Sequence, residues 1–290
     1  MKILCGLPES TGTLPRAAAT ARLPALISAG RLWVKGRFRA PGLAIWDLPS
    51  VAIDSAGFVA MRHHKGYPWT VAQYVEMVAT HRPGMSWPWA WWSQMDLCCE
   101  PQIAKDRATV LERVAGTVAL LGGCNREADR WGIMRPMPIL QGWRPSDYLL
   151  CADGEEAELG EWPALVGIGS VCRRNLDGPD GLFAILDVVE RRLPSHVGLH
   201  LFGVKGDALP ELSRRPRVVS VDSCAWDMAE VHATRALRRG LVEAEGCTME
   251  EANKRIPADI RRRRDTMLAW MARAEQQAQE PAPARQMWLW

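Results

Sequence analysis

No Cys-x-x-Cys pair occurs among the eight cysteines, so the usual spacing for two ligands of a tetrahedral zinc is missing. Cys98 and Cys99 are adjacent, which is poor geometry for one metal. No run of about 18 uncharged apolar residues exists, and no membrane span is expected. Met1 to Gly6 lacks a basic stretch leading into a long apolar one, so no signal peptide is expected. The cytoplasm is then the expected compartment, with the thiols reduced and mostly buried as small apolar residues. No Gly-x-Gly-x-x-Gly turn follows the first apolar run, which weakens a dinucleotide-binding reading. No internal repeat is visible. Charge of one sign is also scarce: 36 Lys and Arg face 33 Asp and Glu, a net +3. That balance neither demands nor excludes a nucleic-acid partner.

What is present begins with apolar residues, 48% of 290, enough for one large core or two small ones. Fourteen tryptophans stand out. Trp87, Trp89, Trp91 and Trp92 crowd one segment, where packing at a strand end is the plain reading and base stacking the functional one. Basic residues cluster as Arg261–Arg264 with Lys254 and Arg255 upstream, as Arg214, Arg215 and Arg217, as Arg173 and Arg174, and as Arg191 and Arg192. Each alone reads as a solvated face. Several converging on one mouth would make a phosphate-tracking surface.

Short apolar runs recur at Lys2–Gly6, Val51–Asp54, Ala90–Asp96, Pro138–Gln141, Leu165–Gly169, Val197–Phe202 and Val218–Asp222. Helical periodicity separates them at Thr70–Thr80, Ile103–Leu121, Leu182–Arg192 and Met228–Arg239. Strand and helix in alternation predict a parallel sheet with crossover helices. The fold class expected is α/β, a TIM-like (β/α)8 barrel with one strand unseen; an open doubly wound sheet is the alternative. Gly30–Trp46 reads as a hairpin inserted before the second barrel strand. Thr248 with Glu251 resembles a capping box, Pro257 marks a helix start, and Ala258–Gln277 reads as one basic helix. Residues 1–245 are thus expected to form the barrel, and 246–290 a helical extension ending in the hydrophobic Met287–Trp290 tail.

Polar groups close the apolar runs: Asp54, Asp96, Gln141, the Gly167-Ile168-Gly169 turn and Asp222. In a β/α barrel all strand ends point to one face, so these residues would converge. A lone Asp after a strand is usually a turn or cap residue; three of them plus a Gln are harder to explain that way.

Asp54-Ser55-Ala56-Gly57-Phe58 resembles the Asp-Ser-Gly-Gly-Phe motif of the tRNA-guanine transglycosylase superfamily. Ile139-Leu140-Gln141-Gly142 resembles its Val-Gln-Gly segment, and Val166-Gly167-Ile168-Gly169-Ser170 its glycine-rich strand. His200-Leu201-Phe202-Gly203-Val204 resembles its Leu-Met-Gly-Val segment, and Val221-Asp222-Ser223 falls where it places a nucleophilic aspartate. The order is the family order. The departures are a motif glycine replaced by Ala56 and a missing zinc subdomain, since only Cys247 follows Cys224. Together they resemble the DpdA-type branch, which places 7-deazaguanines in DNA.

That resemblance implies a catalytic pair, Asp222 as nucleophile and Asp54 as general acid/base. It implies base recognition by Asp96, Gln141, Gly167, Ile168 and Gly169, with Ser55, Phe58 and His200 beside them. It implies no cofactor and no metal. The partners implied are DNA carrying the target guanine and a free 7-deazaguanine base such as 7-cyano-7-deazaguanine; a helper that opens the duplex stays open. A phage or a bacterial modification cluster is the implied source, with restriction evasion as the benefit. Arg261, Arg262, Arg263, Arg264, Arg173 and Arg174 are the candidate phosphate contacts. The same exchange on tRNA and a base-releasing N-glycoside hydrolase remain alternatives. A barrel that only binds is disfavoured, because binding needs no nucleophile.

Overall fold

The apolar runs fold into eight parallel strands, described by a computed structural model over residues 1–81, 89–172 and 174–280. They are β1 Lys2–Leu7, β2 Ala25–Ser28, β3 Val51–Asp54, β4 Trp89–Trp92, β5 Ile139–Leu140, β6 Leu165–Ile168, β7 Gly198–Leu201 and β8 Val218–Ser223. Their order in the sheet is β4-β3-β2-β1-β8-β7-β6-β5, and every neighbouring pair is parallel. The unseen strand is β2, held between β1 and β3.

Sequential order around a parallel sheet lets its two edges approach. They do so at one isolated bridge, Ser93 to Met137. Met137 N–H donates to Trp92 O (2.8 Å) and Gln94 N–H to Met137 O (3.1 Å). The sheet is therefore curled, with a continuous ladder from β4 round to β5 and one bridge across the gap. The expected closed barrel is corrected to that extent. Pro136 and Pro138 flank Met137 and have no N–H to donate, which stops the ladder on this seam.

Helices cover the outer face. Those that matter below are α1 Thr13–Thr20, α2 Val71–Thr80, α3 Arg107–Trp131, α4 Pro145–Leu159, α5 Leu182–Arg192, α6 Ala225–Glu245, α7 Met249–Arg255 and α8 Ile260–Gln277. The Thr70 cap and the Thr248–Glu251 box form as the sequence predicts. α3 starts later than Ile103 because Asp106 caps it, accepting from Thr109 N–H at 2.8 Å, and it ends at Gly132 in the left-handed region. α8 starts at Ile260 rather than near Pro257, since the Asp259 carboxylate accepts from Arg261 and Arg262 N–H. Met267, Met271 and Ala274 of α8 are buried in the same apolar cluster as β1 and α1. The Met287–Trp290 tail lies outside the described residues. Among the described residues no helix is long and apolar enough to cross a membrane.

The hairpin pairs Trp33–Val34 with Arg37–Phe38 across Lys35 and Gly36. Both turn residues have positive φ, 51° and 77°, the signature of a tight hairpin turn. It precedes the third strand, not the second, because β2 comes first.

Candidate active site

Two apolar layers set the site. One lies between sheet and helices. The other, inside the curl, holds Leu4, Leu26 and Ala52 with Trp91 and Phe202 against them. The acids and the amide that concern the site lie at or just past the strand ends.

Asp54 ends β3 beside Ser28, its register partner on β2. Its Oδ1 accepts from Ala56 N–H at 2.6 Å. Burial pushes its carboxyl up to about 7, against hydrogen bonds from Ala56 and Ser28, with nearby Asp222 and Asp96 adding repulsion. Ala56 sits at φ 66°, where L-residues are strained and glycine is not. The glycine of the resembled motif thus has a conformational reason, which this chain forgoes. At Gly57 a Cβ would stand 2.9 Å from Asp96 O and Oδ1. Only glycine lets the Asp54 turn lie on Asp96.

Asp96 is held from all sides. Ser55 Oγ donates to Oδ1 at 2.6 Å, and Gln141 Nε2 donates to Oδ2. Tyr67 OH donates to Asp96 O at 2.9 Å and meets Ser55 Oγ at 2.8 Å. Burial still pushes the Asp96 carboxyl up. Gln141 is oriented from its far side, where Ser170 Oγ donates to Oε1 at 2.6 Å. Ser170 Oγ is also 3.0 Å from Glu100 Oε2. Ser170 Oγ donates in that contact, and burial raises the Glu100 carboxyl. The Gln141 amide is thereby left pointing its NH2 at Asp96. A Cβ at Gly169 would stand 2.2 Å from Gln141 Nε2, so Gly169 is the floor under that amide. Cys98 Sγ lies 3.6 Å from Asp96 Oδ2, and burial holds the thiol far above its ordinary range.

Asp222 lies in β8, buried, with Leu4 as its register partner on β1. Gly203 N–H donates to its Oδ1 at 2.9 Å, and Val204 N–H to its carbonyl at 3.0 Å. His200 Nε2 stands 3.5 Å from the same Oδ1. His200 Nδ1 is 2.9 Å from Ser220 Oγ, and its ring packs against Trp91 and Phe202. It touches the nucleophile candidate rather than the Asp96–Gln141 group.

The structure thus brings together Asp54, Ser55, Asp96 and Gln141, and sets Asp222 with His200 across β2 and β1. Phe58 is half-buried in the short helical turn Gly57–Val59. Gly167 and Gly169 donate their N–H groups to Pro138 O and Leu140 O, so these donors serve the sheet, not a base. Ile168 O accepts from Phe202 N–H at 3.3 Å. Trp89 and Trp92 are core residues whose indoles donate to Val78 O and Met134 O; Trp91 faces His200, and Trp87 lies outside the described residues.

The proposed phosphate contacts divide. Arg173 is outside the described residues. Arg174 is buried and over Trp143, donating to the carbonyls of Trp143, Ser170 and Asp180. It clamps the loop after β6 and is no surface cation. Arg262, Arg263 and Arg264 pair with Glu230, Asp227 and Asp265; Arg261 is exposed. Tyr67, Ser170, Glu100, Ser28 and Gly203 escaped sequence reasoning. Tyr67 carried one signal, being one of only three tyrosines.

Among the described residues no three His, Cys, Asp or Glu side chains gather as a metal site. What the fold and site define is a parallel α/β enzyme-like scaffold with carboxyls converging at the strand ends. Residues 11–285 match the DpdA family, described as DeoxyPurine in DNA protein A, and the chain belongs to that family. No curated protein matches it.

Proposed function

We propose that this chain exchanges guanine in DNA for a 7-deazaguanine base, through a covalent sugar–Asp222 intermediate. One observation carries the reading. A carboxyl pushed up to about 7, Asp54, and a carboxylate fixed by a backbone N–H, Asp222, share the strand-end mouth. Family membership supports DNA as the substrate. The curled sheet is read as a TIM-like scaffold bridged at Ser93–Met137, with 1–245 catalytic and 246–290 an extension.

A base exchanged with retained configuration needs two displacements. Asp222 attacks C1′ while the bond to guanine N9 breaks. The departing ring nitrogen takes its proton from Asp54. The incoming base gives a proton to Asp54, its nitrogen attacks C1′, and the Asp222 ester bond breaks. Asp54 must act as acid and then as base, which suits a group titrating near neutrality. Asp96 accepts from the guanine N1–H and 2-amino edge, and Gln141 reads the opposite edge. In the free protein those two satisfy each other, so a base lacking the matching pattern would leave buried groups unpaired. Ser55 and the Gly167–Gly169 turn shape this pocket, with Phe58 at its rim. C1′ chemistry requires the nucleotide to leave the stack.

The test uses DNA and tRNA carrying labelled guanine, with and without free 7-cyano-7-deazaguanine. Label lost from DNA only when the free base is present is the expected result. Release without added base would make the chain a hydrolase, and loss from tRNA alone would move the substrate.

A further inference from the structure

Most of the cations that crowd together in the sequence are spent on the protein itself, Arg191 and Arg261 excepted. Arg192 pairs with Asp153 and Glu156, and Arg215 with Asp187 and Glu190. Arg255, Arg262, Arg263 and Arg264 pair likewise. A different set stays unpaired. Residues 29–75 hold six Arg and Lys against two acids, an excess of four in a chain whose whole excess is three. Arg31, Lys35, Arg37, Arg39, Arg62 and Lys65 are all exposed, as are His63 and His64. None of the six takes part in an ion pair among the described residues.

Both segments leave the sheet at its reacting end, and the hairpin then lies along α2, with Arg37 in one concavity with Glu76. Residues 29–46 leave β2 at Ser28, level with Asp54. A Cβ at Gly30 would stand 3.1 Å from the Ala56 Cβ. The hairpin is pinned by its inner face: Trp33 and Phe38 pack on Trp69 at 5.3 and 5.2 Å between ring centres, and Trp69 packs on Tyr67. Tyr67 holds Asp96. The hairpin's other face, Val34 and Arg37, and its tip, Lys35, are exposed. The segment carrying Arg62–Lys65 runs between the Asp54 turn and Tyr67.

From this placement we infer that the 33–38 hairpin and the 62–65 turn form the surface that grips the DNA backbone beside the flipped guanine. Unpaired cations near a mouth release counterions from phosphates without first breaking internal ion pairs. In the Arg261–Arg264 helix three of the four arginines are already paired. The inference rests on the proposed DNA substrate, and the test separates the two.

Binding of a fluorescent DNA duplex and of tRNA is measured by anisotropy across a salt series. The protein variants are wild type, Lys35→Ala/Arg37→Ala, Arg62→Ala/Lys65→Ala, the four-fold combination, and Arg191→Ala on α5 as control. Each double variant should lower the slope of log affinity on log salt by about 2, and the four-fold one by about 4. Affinity should fall about tenfold or more in the four-fold variant, with no change for Arg191→Ala. A four-fold variant with the wild-type slope and affinity for DNA overturns the surface and leaves the DNA reading standing. Wild type binding only tRNA, with the same slope losses, keeps the surface and overturns the DNA reading. A wild type that binds neither overturns both.

Discussion

The strand-end mouth and the C-terminal helices are both rich in ionisable groups, and they use them in opposite ways. At the mouth Asp96 and Glu100 are buried and Asp54 half-buried, their carboxyls pushed up, and their partners are neutral hydroxyl, amide and backbone groups. On α6, α7 and α8 the acids meet arginines: Glu230 with Arg262, Asp227 with Arg263, Glu245 with Arg255. Burial among neutral partners raises a carboxyl, as at Asp54. Cationic partners make an acid a brace. The difference teaches that charge density in a segment does not mark the working surface; the environment of each charge does.

The contrast breaks most sharply if mouth variants lose stability rather than activity. Asp222→Asn should fold normally and lose base exchange by about 10⁴-fold or more, measured as label released from DNA. Wild-type exchange would end its assignment as nucleophile. Asp54→Asn should slow exchange by about 10²–10⁴-fold. Its stability should move the other way. Above the ordinary 3.8 an unfolded chain loses this proton, whereas the folded protein keeps it until about 7. Wild type therefore loses stability as pH rises through that window, and the loss persists above it. Asp54→Asn should unfold later than wild type at pH 8, with the difference shrinking towards pH 4, in denaturant titrations.

Gly57→Ala places a methyl group against the Asp96 carboxylate, and a displacement of that kind costs about 10²-fold in exchange. Equal KM and kcat to wild type would show that Asp96 has room to move. On the helical side the expectation inverts. Arg263→Met leaves the buried Asp227 unpaired and should cost about 3 kcal/mol of stability, read by denaturant midpoint, with exchange rates per folded molecule kept. A larger effect on rate than on stability would join α8 to the mouth. Ala56→Gly should give the smallest effect, a stabilisation of about 0.5–1 kcal/mol from relieving a left-handed alanine.

Much of the frame was legible in sequence. Seven of the apolar runs became strands, since residues buried on both faces leave an unbroken apolar record. β2, no shorter than β3, β4, β6 or β7, was not singled out. α4 was missed as well. The convergence of Asp54, Asp96, Gln141 and Asp222 followed from strand-end positions alone. Tyr67, Ser170 and Glu100 did not follow, because hydroxyls and acids become partners only through contacts some 40 or 70 residues apart in the chain. Arg174 looked like a surface cation next to Arg173, yet it is buried against Trp143.

By itself, the sequence determined the alternation of strand and helix, the residues at the strand ends and the family. Those depend on local periodicity and on motif order, both written along the chain. Tertiary structure alone decided which charges are neutralised and which carboxyl titrates near 7. It also decided why Gly57 and Gly169 cannot be larger, and where the sheet's edges meet. These depend on distances between residues that the chain keeps far apart, and on the water that folding removes from around them.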